Sequence, residues 1–426
     1  MMIAQRADHG SCGCETPPDP SSLVSIDEAL RCVLKIAAPI DGTDTAPPSS
    51  VTGRILAKPV RAVAMTPPFD NAAMDGYAVD STALTGAPPW RLSVVGRVAA
   101  GETSAGQVVG QTAARIFTGA PVPPGADAVV KQENVVRDGA TVILDQRPLP
   151  GLNVRRAGDD MRFGEIVLQD GVRLGAREIA ACAGAGAARV HIRRAVRIGL
   201  LVTGSEIRQT GASREAAHIW DVNTPMLCSE LARPDVDLVR VTQGLDDRTE
   251  LRSCLADMAE TVDLIVTTGG ISVGEEDHVK PVLKALGAEI HVNGVAIKPG
   301  KPVCFGRLGK AVWLGLPGNP QSAFITWNVF GLPLLDVLSG RLRGTRKRHH
   351  VVTGKEICRK PGRCEIRPAR IVGFDGQGRE IVVFDDAASS AHVARLPCAD
   401  GLILIPAETE HLPEGALIEF QPFHQT

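Results

Sequence analysis

Residues 262–270, VDLIVTTGG, and residues 196–204, VRIGLLVTG, are two apolar runs that each end in glycine. A continuous apolar run of this length is typical of a strand buried on both faces. Helical segments are predicted around 223–233, 247–260 and 277–287. Strands and helices alternating at this spacing predict a doubly wound parallel sheet, whose ligand binds at the carboxyl ends of the strands. Both glycine turns lie at those ends.

The run at 262–270 extends into TTGGISVGEED (267–277), where three acids, Glu275, Glu276 and Asp277, follow the glycine turn. Backbone amides of such a turn, next to a helix N-terminus, hold an anion. Carboxylates beside that anion would repel it unless a divalent cation lies between them, and Mg²⁺ binds carboxylate and phosphate oxygens together. The motif therefore indicates a phosphorylated ligand with a metal. The alternative is that the acids only stabilise the helix dipole.

Two further segments carry acids to the same predicted edge of the sheet. VTGSEI (202–207) supplies Glu206, and GLDDR (244–248) supplies Asp246 and Asp247. Helix capping explains one of the two aspartates. Three sources of carboxylates at one edge are harder to explain by capping alone, which favours a metal site.

Two proline- and glycine-rich turns follow. AIKPGKP (296–302) supplies Lys298 and Lys301, which are cations suited to an oxyanion, although most lysines are only solvated. GLPGNPQS (315–322) is predicted to be a rigid turn.

Composition excludes several classes of function. The 426 residues exceed one compact core, and 46 basic against 48 acidic residues give a formal net charge of -2, so no overall field attracts nucleic acid or anionic membranes. The basic run RLRGTRKRHH (341–350) lacks interleaved aromatic residues, so a solvated linker is the simpler interpretation and nucleic-acid binding the alternative. No run of about 20 apolar residues occurs, so no membrane span is predicted.

Ten cysteines lack the paired spacing of zinc sites, and no export signal precedes them, which favours reduced thiols in the cytoplasm. Cys12 and Cys14 form one close pair in an N-terminal tail with little apolar content. We predict that this tail is disordered, and a metal or redox role of the pair is the alternative.

Changes in pattern along the chain predict its domains. SIDE (25–28) is a capping box that starts a helix of about three turns. Short strand-like runs fill the stretch up to residue 150 and recur after residue 350. The predicted parts are a disordered tail (1–20), a split N-terminal domain (21–60 and 151–195), a β-rich inserted domain (61–150), an α/β domain (196–340) and a small C-terminal β-barrel (341–426).

Six motifs in order resemble those of the molybdopterin molybdenumtransferase family, the molybdenum insertases to which the gephyrin E domain belongs. They are TPPFDNAAMDGYAVD, RIFTGAPVPPGADAVVKQEN, VTGSEI, TTGGISVGEEDHVKP, AIKPGKP and GLPGNPQSA. The resemblance covers about residues 21–426. It implies that the N-terminal domain is elongated and that the α/β domain binds molybdopterin.

The resemblance also implies a reaction. Family members insert molybdenum from molybdate into adenylated molybdopterin, cleave the pyrophosphate bond and release AMP in a Mg²⁺-dependent step. A cytoplasmic homodimer is implied, with transient contacts to an adenylyltransferase and to molybdoenzyme apoproteins. Neither nucleic acid nor a membrane is an expected partner.

Residue by residue, the resemblance implies three groups of functional positions. The catalytic residues are Asp277, Asp246, Glu206, Asp75, Thr118 and Asp160, of which the last three reach the cleft across a dimer interface. The Mg²⁺ ligands are Glu206, Asp246 and Asp277. The cofactor-binding residues are Gly269, Gly270, Ser272, Gly274, Lys298, Lys301, Pro317, Gly318, Asn319 and Pro320. By residue type alone, Asp75 and Thr118 are typical of turns.

The chain departs from the family pattern at two places. Gly294 stands where a basic residue is common, and Ser389-Ser390-Ala391 stands where a glycine-serine-glycine turn is common. Both changes affect the expected anion site more than the fold. Two alternative functions stay open: a molybdopterin adenylyltransferase, which shares the sheet domain, and a non-catalytic molybdopterin-binding paralogue.

Overall fold

The structure is a computed structural model, and it divides into two compact units. The first unit takes in the described residues before Asp44, Gly53–Ile55 and those from Arg193 onward, and the second comprises Asp44–Thr52 and Leu56–Ile192. The described residues are 23–103, 106–213, 215–244, 247–271, 277–341, 348–386 and 392–423.

Helix α1 (Ile26–Ile36) opens the first unit, and its start confirms the predicted capping box. The Glu28 amide donates to Ser25 Oγ at 3.2 Å, and the Ser25 amide donates to Glu28 Oε2 at 2.7 Å. The Ser25 amide, and after it the Ser25 hydroxyl, which donates to Glu28 Oε2 at 2.8 Å, lower the pKa of the Glu28 carboxyl. The apolar stripe of the helix then packs into the largest core cluster of this unit.

The second unit is rich in β-structure. From Thr43 to Arg193 the chain forms β1 (Thr43–Ala46), β2 (Val60–Arg61), β3 (Asn71–Ala72), β4 (Gly76–Val79), β5 (Trp90–Val98), β6 (Thr112–Ile116), β7 (Ala128–Lys131), β8 (Val136–Asp138), β9 (Thr141–Leu144), β10 (Val154–Arg155), β11 (Ile166–Leu168), α2 (Ala176–Gly184) and β12 (Val190–Arg193). A six-stranded sheet has the order β7-β4-β6-β5-β9-β8. Short antiparallel pairs, β3 with β10 and β2 with β11, join segments that are distant in sequence.

The α/β part of the first unit contains the segments on which the fold prediction rested. Its elements are β13 (Val196–Val202), β14 (Ile207–Arg208), β15 (Ile219–Trp220), α3 (Asn223–Leu231), β16 (Val236–Gln243), α4 (Arg248–Thr261), β17 (Leu264–Thr268), α5 (Val279–Ala285), β18 (Glu289–Asn293), β19 (Ile297–Lys298), β20 (Cys304–Leu308), β21 (Ala311–Leu316), α6 (Pro320–Thr326), a π-helical turn (Trp327–Gly331) and α7 (Leu332–Leu338). The three predicted helices correspond to α3, α4 and α5.

The central sheet has the order β16-β13-β17-β21-β20-β18. Strands β16, β13, β17 and β21 run parallel, and Val202, Thr268 and Leu316 end their strands in register. Alternate residues of these strands belong to apolar clusters on opposite faces, since Leu200 lies in one cluster and Leu201 in the other. The doubly wound parallel core is therefore confirmed.

The far edge of this sheet is antiparallel, which the apolar pattern did not predict. Strand β20 pairs antiparallel with β21, and β18 pairs antiparallel with β20. The two residues between β20 and β21, Gly309 and Lys310, allow only a tight hairpin, whereas a parallel connection needs a dozen residues or more.

The C-terminal part closes into a small barrel, as predicted. It consists of β22 (His349–Thr353), β23 (Ile357–Cys358), β24 (Cys364–Phe374), β25 (Glu380–Phe384), β26 (Gly401–Ile405), β27 (His411–Leu412) and β28 (Leu417–Pro422). The ladder runs β24-β25-β22-β28-β26 and returns to β24. Strands β23 and β27 form a separate antiparallel pair.

Among the described residues, none of the helices combines the length and hydropathy that crossing a membrane requires.

Candidate functional site

A cleft of about 440 Å³ opens where β13, β17 and β21 end. The turns after these strands line it, together with residues from β14, β15 and the start of α3. The cleft brings together many of the positions singled out in the sequence, namely Glu206, Gly269, Gly270, Asp277, Pro317, Gly318, Asn319 and Pro320. The position follows from the parallel register, because parallel strands deliver their following turns to one edge.

The glycine turn after β17 lies close against the neighbouring turns. Gly269 has φ +85°, and a Cβ built there would lie 2.7 Å from Thr203 Oγ1, on the turn after β13. A Cβ on Gly318, in the turn after β21, would lie 3.5 Å from the Gly269 Cα. A side chain at Gly269 would therefore collide with Thr203 and displace the turns that line the cleft.

Asn223, the first residue of α3, connects two of these turns. Its Nδ2 donates to Thr268 Oγ1 at 2.9 Å and to the Gly318 carbonyl at 2.7 Å. Thr268 Oγ1 in turn donates to the Pro317 carbonyl at 2.9 Å. Both amide protons of Asn223 are thus used, and its Oδ1, although buried, accepts no hydrogen bond from the described residues. This oxygen is therefore a buried acceptor without a protein donor in the described part of the chain, on a residue that lines the cleft.

The acids near the cleft have different surroundings. Asp247 is the N-cap of α4 and accepts from the amides of Thr249 and Glu250 at 2.8 and 3.0 Å, which lower the pKa of its carboxyl, Glu250 first. Capping thus accounts for Asp247, as the sequence suggested for one of the pair. Helix α5 has His278 at its N-cap position, and Asp277 before it lines the cleft.

Three of the predicted positions, Asp246, Ser272 and Gly274, lie outside the described residues. The same holds for Glu275 and Glu276.

Sequence analysis missed a segment that lines the cleft. It is IWDVN (219–223), which runs from β15 into the start of α3. Asp221 is buried and accepts from the Thr224 amide at 2.9 Å and from Gln243 Nε2 at 2.7 Å. An aspartate and an asparagine just before a helix are typical of capping, so the segment carried no distinctive signal.

Lys298 lies in a second cavity, of about 520 Å³, and not in the cleft. Five basic residues line this cavity against two acidic ones, the basic ones being Lys298, Arg359, Lys360, Arg363 and Arg367 and the acidic ones Glu365 and Asp386. Lys301 is exposed, and the next residue, Pro302, lines the first cleft.

One buried carboxylate in this cavity faces three cations. Glu365 Oε1 lies 2.7 Å from Arg367 Nη2, and Glu365 Oε2 lies 3.5 Å from both Lys298 Nζ and Arg359 Nε. The side chains of Glu365, Arg359 and Arg367 are each at most 6% exposed. Arg359 Nε is buried and donates no hydrogen bond to the described residues, although it lies 3.5 Å from Glu365 Oε2. The cavity therefore carries an excess of positive charge.

Gly294, the first departure from the family pattern, has a structural reason to be glycine. It has φ +125°, and a Cβ there would lie 2.9 Å from Leu23 Cδ2 and 3.3 Å from the Lys301 carbonyl oxygen. A long basic side chain would be strained at this position. The second departure, Ser389-Ser390-Ala391, lies outside the described residues.

In the second unit, Asp75 and Thr118 are directly bonded. The Thr118 amide and hydroxyl donate to Asp75 Oδ1 at 2.8 and 2.7 Å. These two bonds, the amide first, lower the pKa of the Asp75 carboxyl. Asp160 is exposed and lines a separate shallow depression that also contains Phe163.

Three family models match consecutive parts of the chain. Residues 24–186 match the MoeA N-terminal region (domain I and II). Residues 199–337 match a probable molybdopterin binding domain, and residues 350–423 match the MoeA C-terminal region (domain IV).

Similar proteins cover nearly the whole chain. A molybdopterin molybdenumtransferase of Haemophilus influenzae is 31% identical over 374 residues, which are 87% of this chain and 91% of the relative. Molybdopterin molybdenumtransferase 2 of Mycobacterium tuberculosis is 31% identical over 409 residues, 93% of this chain and 98% of the relative. Two solved structures of a molybdopterin biosynthesis MoeA protein from Pyrococcus horikoshii have TM-scores of 0.76 and 0.80 at 29% and 25% identity, and cover 95% and 94% of this chain and 100% of theirs.

Thr118→Val tests the bonded pair of the second unit. We expect the pKa of the Asp75 carboxyl to rise towards its ordinary value, because its carboxylate loses the hydroxyl donor and keeps the amide donor. NMR titration of protein with ¹³C-labelled aspartate measures the change. Thr82→Val is the matched control, since Thr82 donates in the same way to Asp80 and should move only that carboxyl. An Asp75 pKa that stays in place would contradict the role of the hydroxyl.

Proposed function

The chain belongs to the molybdopterin molybdenumtransferase family, and we propose that it inserts molybdenum from molybdate into adenylated molybdopterin with Mg²⁺-dependent cleavage of the pyrophosphate bond and release of AMP. The family makes it a transferase of molybdenum cofactor biosynthesis. The observation that carries the finer proposal is the cleft itself, where the glycine turn and two carboxylates, Glu206 and Asp277, meet at one edge of the sheet.

The residues of the cleft suit a phosphorylated ligand. The backbone amide of Gly270 is a donor for phosphate oxygens, whereas the Gly269 amide donates to the Leu316 carbonyl at 3.2 Å. The donor set also fits Mg²⁺, which prefers carboxylate oxygens, so Glu206, Asp277 and, by sequence, Asp246 would hold it. When bound, the ion would neutralise the phosphates and polarise the scissile bond.

Other groups in the cleft suit a pterin ring. Ile219 and Trp220 line the cleft and are 54% and 40% exposed, so an apolar face remains for a planar ring. A pterin carries N–H donors at its edge, and the Oδ1 of Asn223 is a buried acceptor without a protein donor among the described residues. Pro317 and Pro320 keep the opposite turn in shape.

The second cavity suits molybdate. Molybdate carries two negative charges, and Lys298, Arg359 and Arg367 share one carboxylate, Glu365, which leaves positive charge to be balanced. The Nε of Arg359, which makes no hydrogen bond among the described residues, is a donor for an oxyanion. Basic residues of the barrel thus supply charge that Gly294 does not. Lys301 remains part of the proposed oxyanion site through the sequence resemblance.

The resemblance also assigns Asp75, Thr118 and Asp160 of one subunit to the cleft of the other in a homodimer, and we retain this assignment as part of the proposal. Cytoplasmic location and transient contacts with an adenylyltransferase and with apoenzymes also stay predictions.

AMP release tests the reaction. Protein mixed with adenylated molybdopterin, molybdate and Mg²⁺ should release AMP, and Asp277→Asn should slow this release by about a hundredfold or more, because it removes a charge positioned at the reacting phosphates. Asp257→Asn, an exposed position on α4, is the matched control and should leave the rate unchanged. No AMP above the rate in buffer would exclude the proposed reaction, and full activity of Asp277→Asn would exclude the role of that carboxylate.

Lys298→Ala tests the oxyanion cavity. Loss of a charge-assisted contact costs about 1.5–3 kcal/mol, so the molybdate concentration that gives half-maximal AMP release should rise about tenfold or more. Lys310→Ala, in the exposed hairpin between β20 and β21, serves as the control. Equal half-saturation in both variants would show that molybdate binds elsewhere.

Asn223→Ala tests recognition of the pterin, measured as the affinity for molybdopterin by isothermal titration calorimetry. We expect a loss of about tenfold, since a buried hydrogen bond to the ligand disappears. Thr268→Val removes two bonds of the connection between the turns, the one from Asn223 Nδ2 and the one to the Pro317 carbonyl, but keeps the Asn223 Oδ1, so it should cost less. Equal losses in the two variants would assign Asn223 to positioning of the turns alone.

A further inference from the structure

A cluster of three metal-ligating side chains lies on the surface of the C-terminal barrel, away from the carboxylates of the cleft. Glu356, Cys358 and His411 each offer one ligand atom, and these atoms all lie within 4.8 Å of one another. All three residues are exposed. The proposed reaction uses none of these three groups.

The pairing of β23 with β27 accounts for the cluster. Cys358 and His411 are directly opposite each other in this antiparallel pair, so their side chains are neighbours on one face. Glu356 precedes Cys358 by two residues, and alternate residues of an extended strand project on the same face. The other face carries Ile357 and Leu412, which pack into the apolar core of the barrel. That packing keeps the three polar side chains directed outward together.

The distances suit a small metal ion. His411 Nε2 lies 3.6 Å from Glu356 Oε2. Ligand bonds of about 2.0–2.3 Å in a tetrahedral zinc site place the ligand atoms roughly 3.5 Å apart. The histidine and the glutamate already have this separation, and small rotations of exposed side chains bring the Cys358 Sγ to the same distance.

The donor types decide which metal. A thiolate, an imidazole and a carboxylate together select zinc or a similar borderline ion over Mg²⁺, which prefers oxygen ligands only. We infer that Glu356, Cys358 and His411 form a Zn²⁺ site with three protein ligands and an open position for water. This site differs in chemistry from the carboxylate site of the cleft, and it does not depend on the proposed function.

The site has a defined place in the molecule. Cys358 also lines the basic cavity that contains Lys298, and the next residue, Arg359, faces Glu365 there. A metal held by β23 and β27 would tie these two short strands together beside that cavity. The metal would therefore restrict the movement of β23, whose last residue, Cys358, directly precedes Arg359.

Co²⁺ binding to the full chain tests the site, because cobalt bound by a thiolate gives a ligand-to-metal charge-transfer absorption. The Cys12→Ser/Cys14→Ser double variant serves as the background protein. It removes the close pair of cysteines in the N-terminal tail, which could bind Co²⁺ independently. We expect one equivalent of Co²⁺ with this absorption, displaced by Zn²⁺. Cys358→Ser should abolish the absorption. His411→Ala or Glu356→Gln should weaken Co²⁺ binding at least about tenfold, because even the loss of a residue that hydrogen-bonds to a metal ligand lowers metal affinity by about that factor.

Cys398→Ser is the matched control, because Cys398 is also an exposed cysteine after β22 and should leave Co²⁺ binding unchanged. Thermal unfolding without metal checks that each surface variant is folded. Two results would overturn the inference. One is an absorption that survives Cys358→Ser, and the other is binding that depends on Cys358 but ignores both His411 and Glu356, which would indicate a single reactive thiol.

Discussion

The parallel pairing of β13, β17 and β21 is the constraint on which the cleft depends. These strands are buried on both faces, so their apolar side chains hold them in one register. Because the strands end together, their turns leave the sheet at one edge and approach each other closely. This close approach requires glycine at position 269. The backbone carbonyls of Pro317 and Gly318 need hydrogen-bond donors, which Thr268 and Asn223 supply. The chemistry of the cleft thus follows from how the strands are packed.

The two regions proposed to bind anions differ in where their positive charge originates. In the cleft it comes from backbone amides, whose partial charges are fixed by the turn. In the basic cavity it comes from side chains, among them Lys298 on β19 and Arg359 and Arg367 in the C-terminal part. A single buried carboxylate, Glu365, holds these cations at fixed positions while it cancels only part of their charge. Such an arrangement costs less than unpaired burial and still favours an incoming oxyanion.

Much of the fold could be predicted because local chemistry and tertiary packing agree. Ser25 and Glu28 form the capping box that their spacing predicts, and the apolar runs ending at Gly204 and Gly270 are the buried parallel strands. The antiparallel edge at β18 and β20 was not predicted, since apolar runs do not specify strand direction. Among the site residues, those in glycine and proline turns were accessible to sequence reasoning.

The role of Asn223 and the contact of Lys298 with Glu365 were not accessible, because they join segments 45–95 residues apart. The pairing of Asp75 with Thr118 likewise links residues separated by 43 positions.

The closed ladder of the C-terminal barrel has a further consequence for the behaviour of the protein in concentrated solution. Because β24 pairs with both β25 and β26, these strands present no unpaired backbone edge to a neighbouring molecule. The central sheet does end in an outer strand, β16, where the exposed Val239 and Val241 flank Arg240. A charged side chain between two apolar ones discourages edge-to-edge association. Closure thus removes the free backbone edges of these barrel strands, and Arg240 places a charge on the edge strand β16.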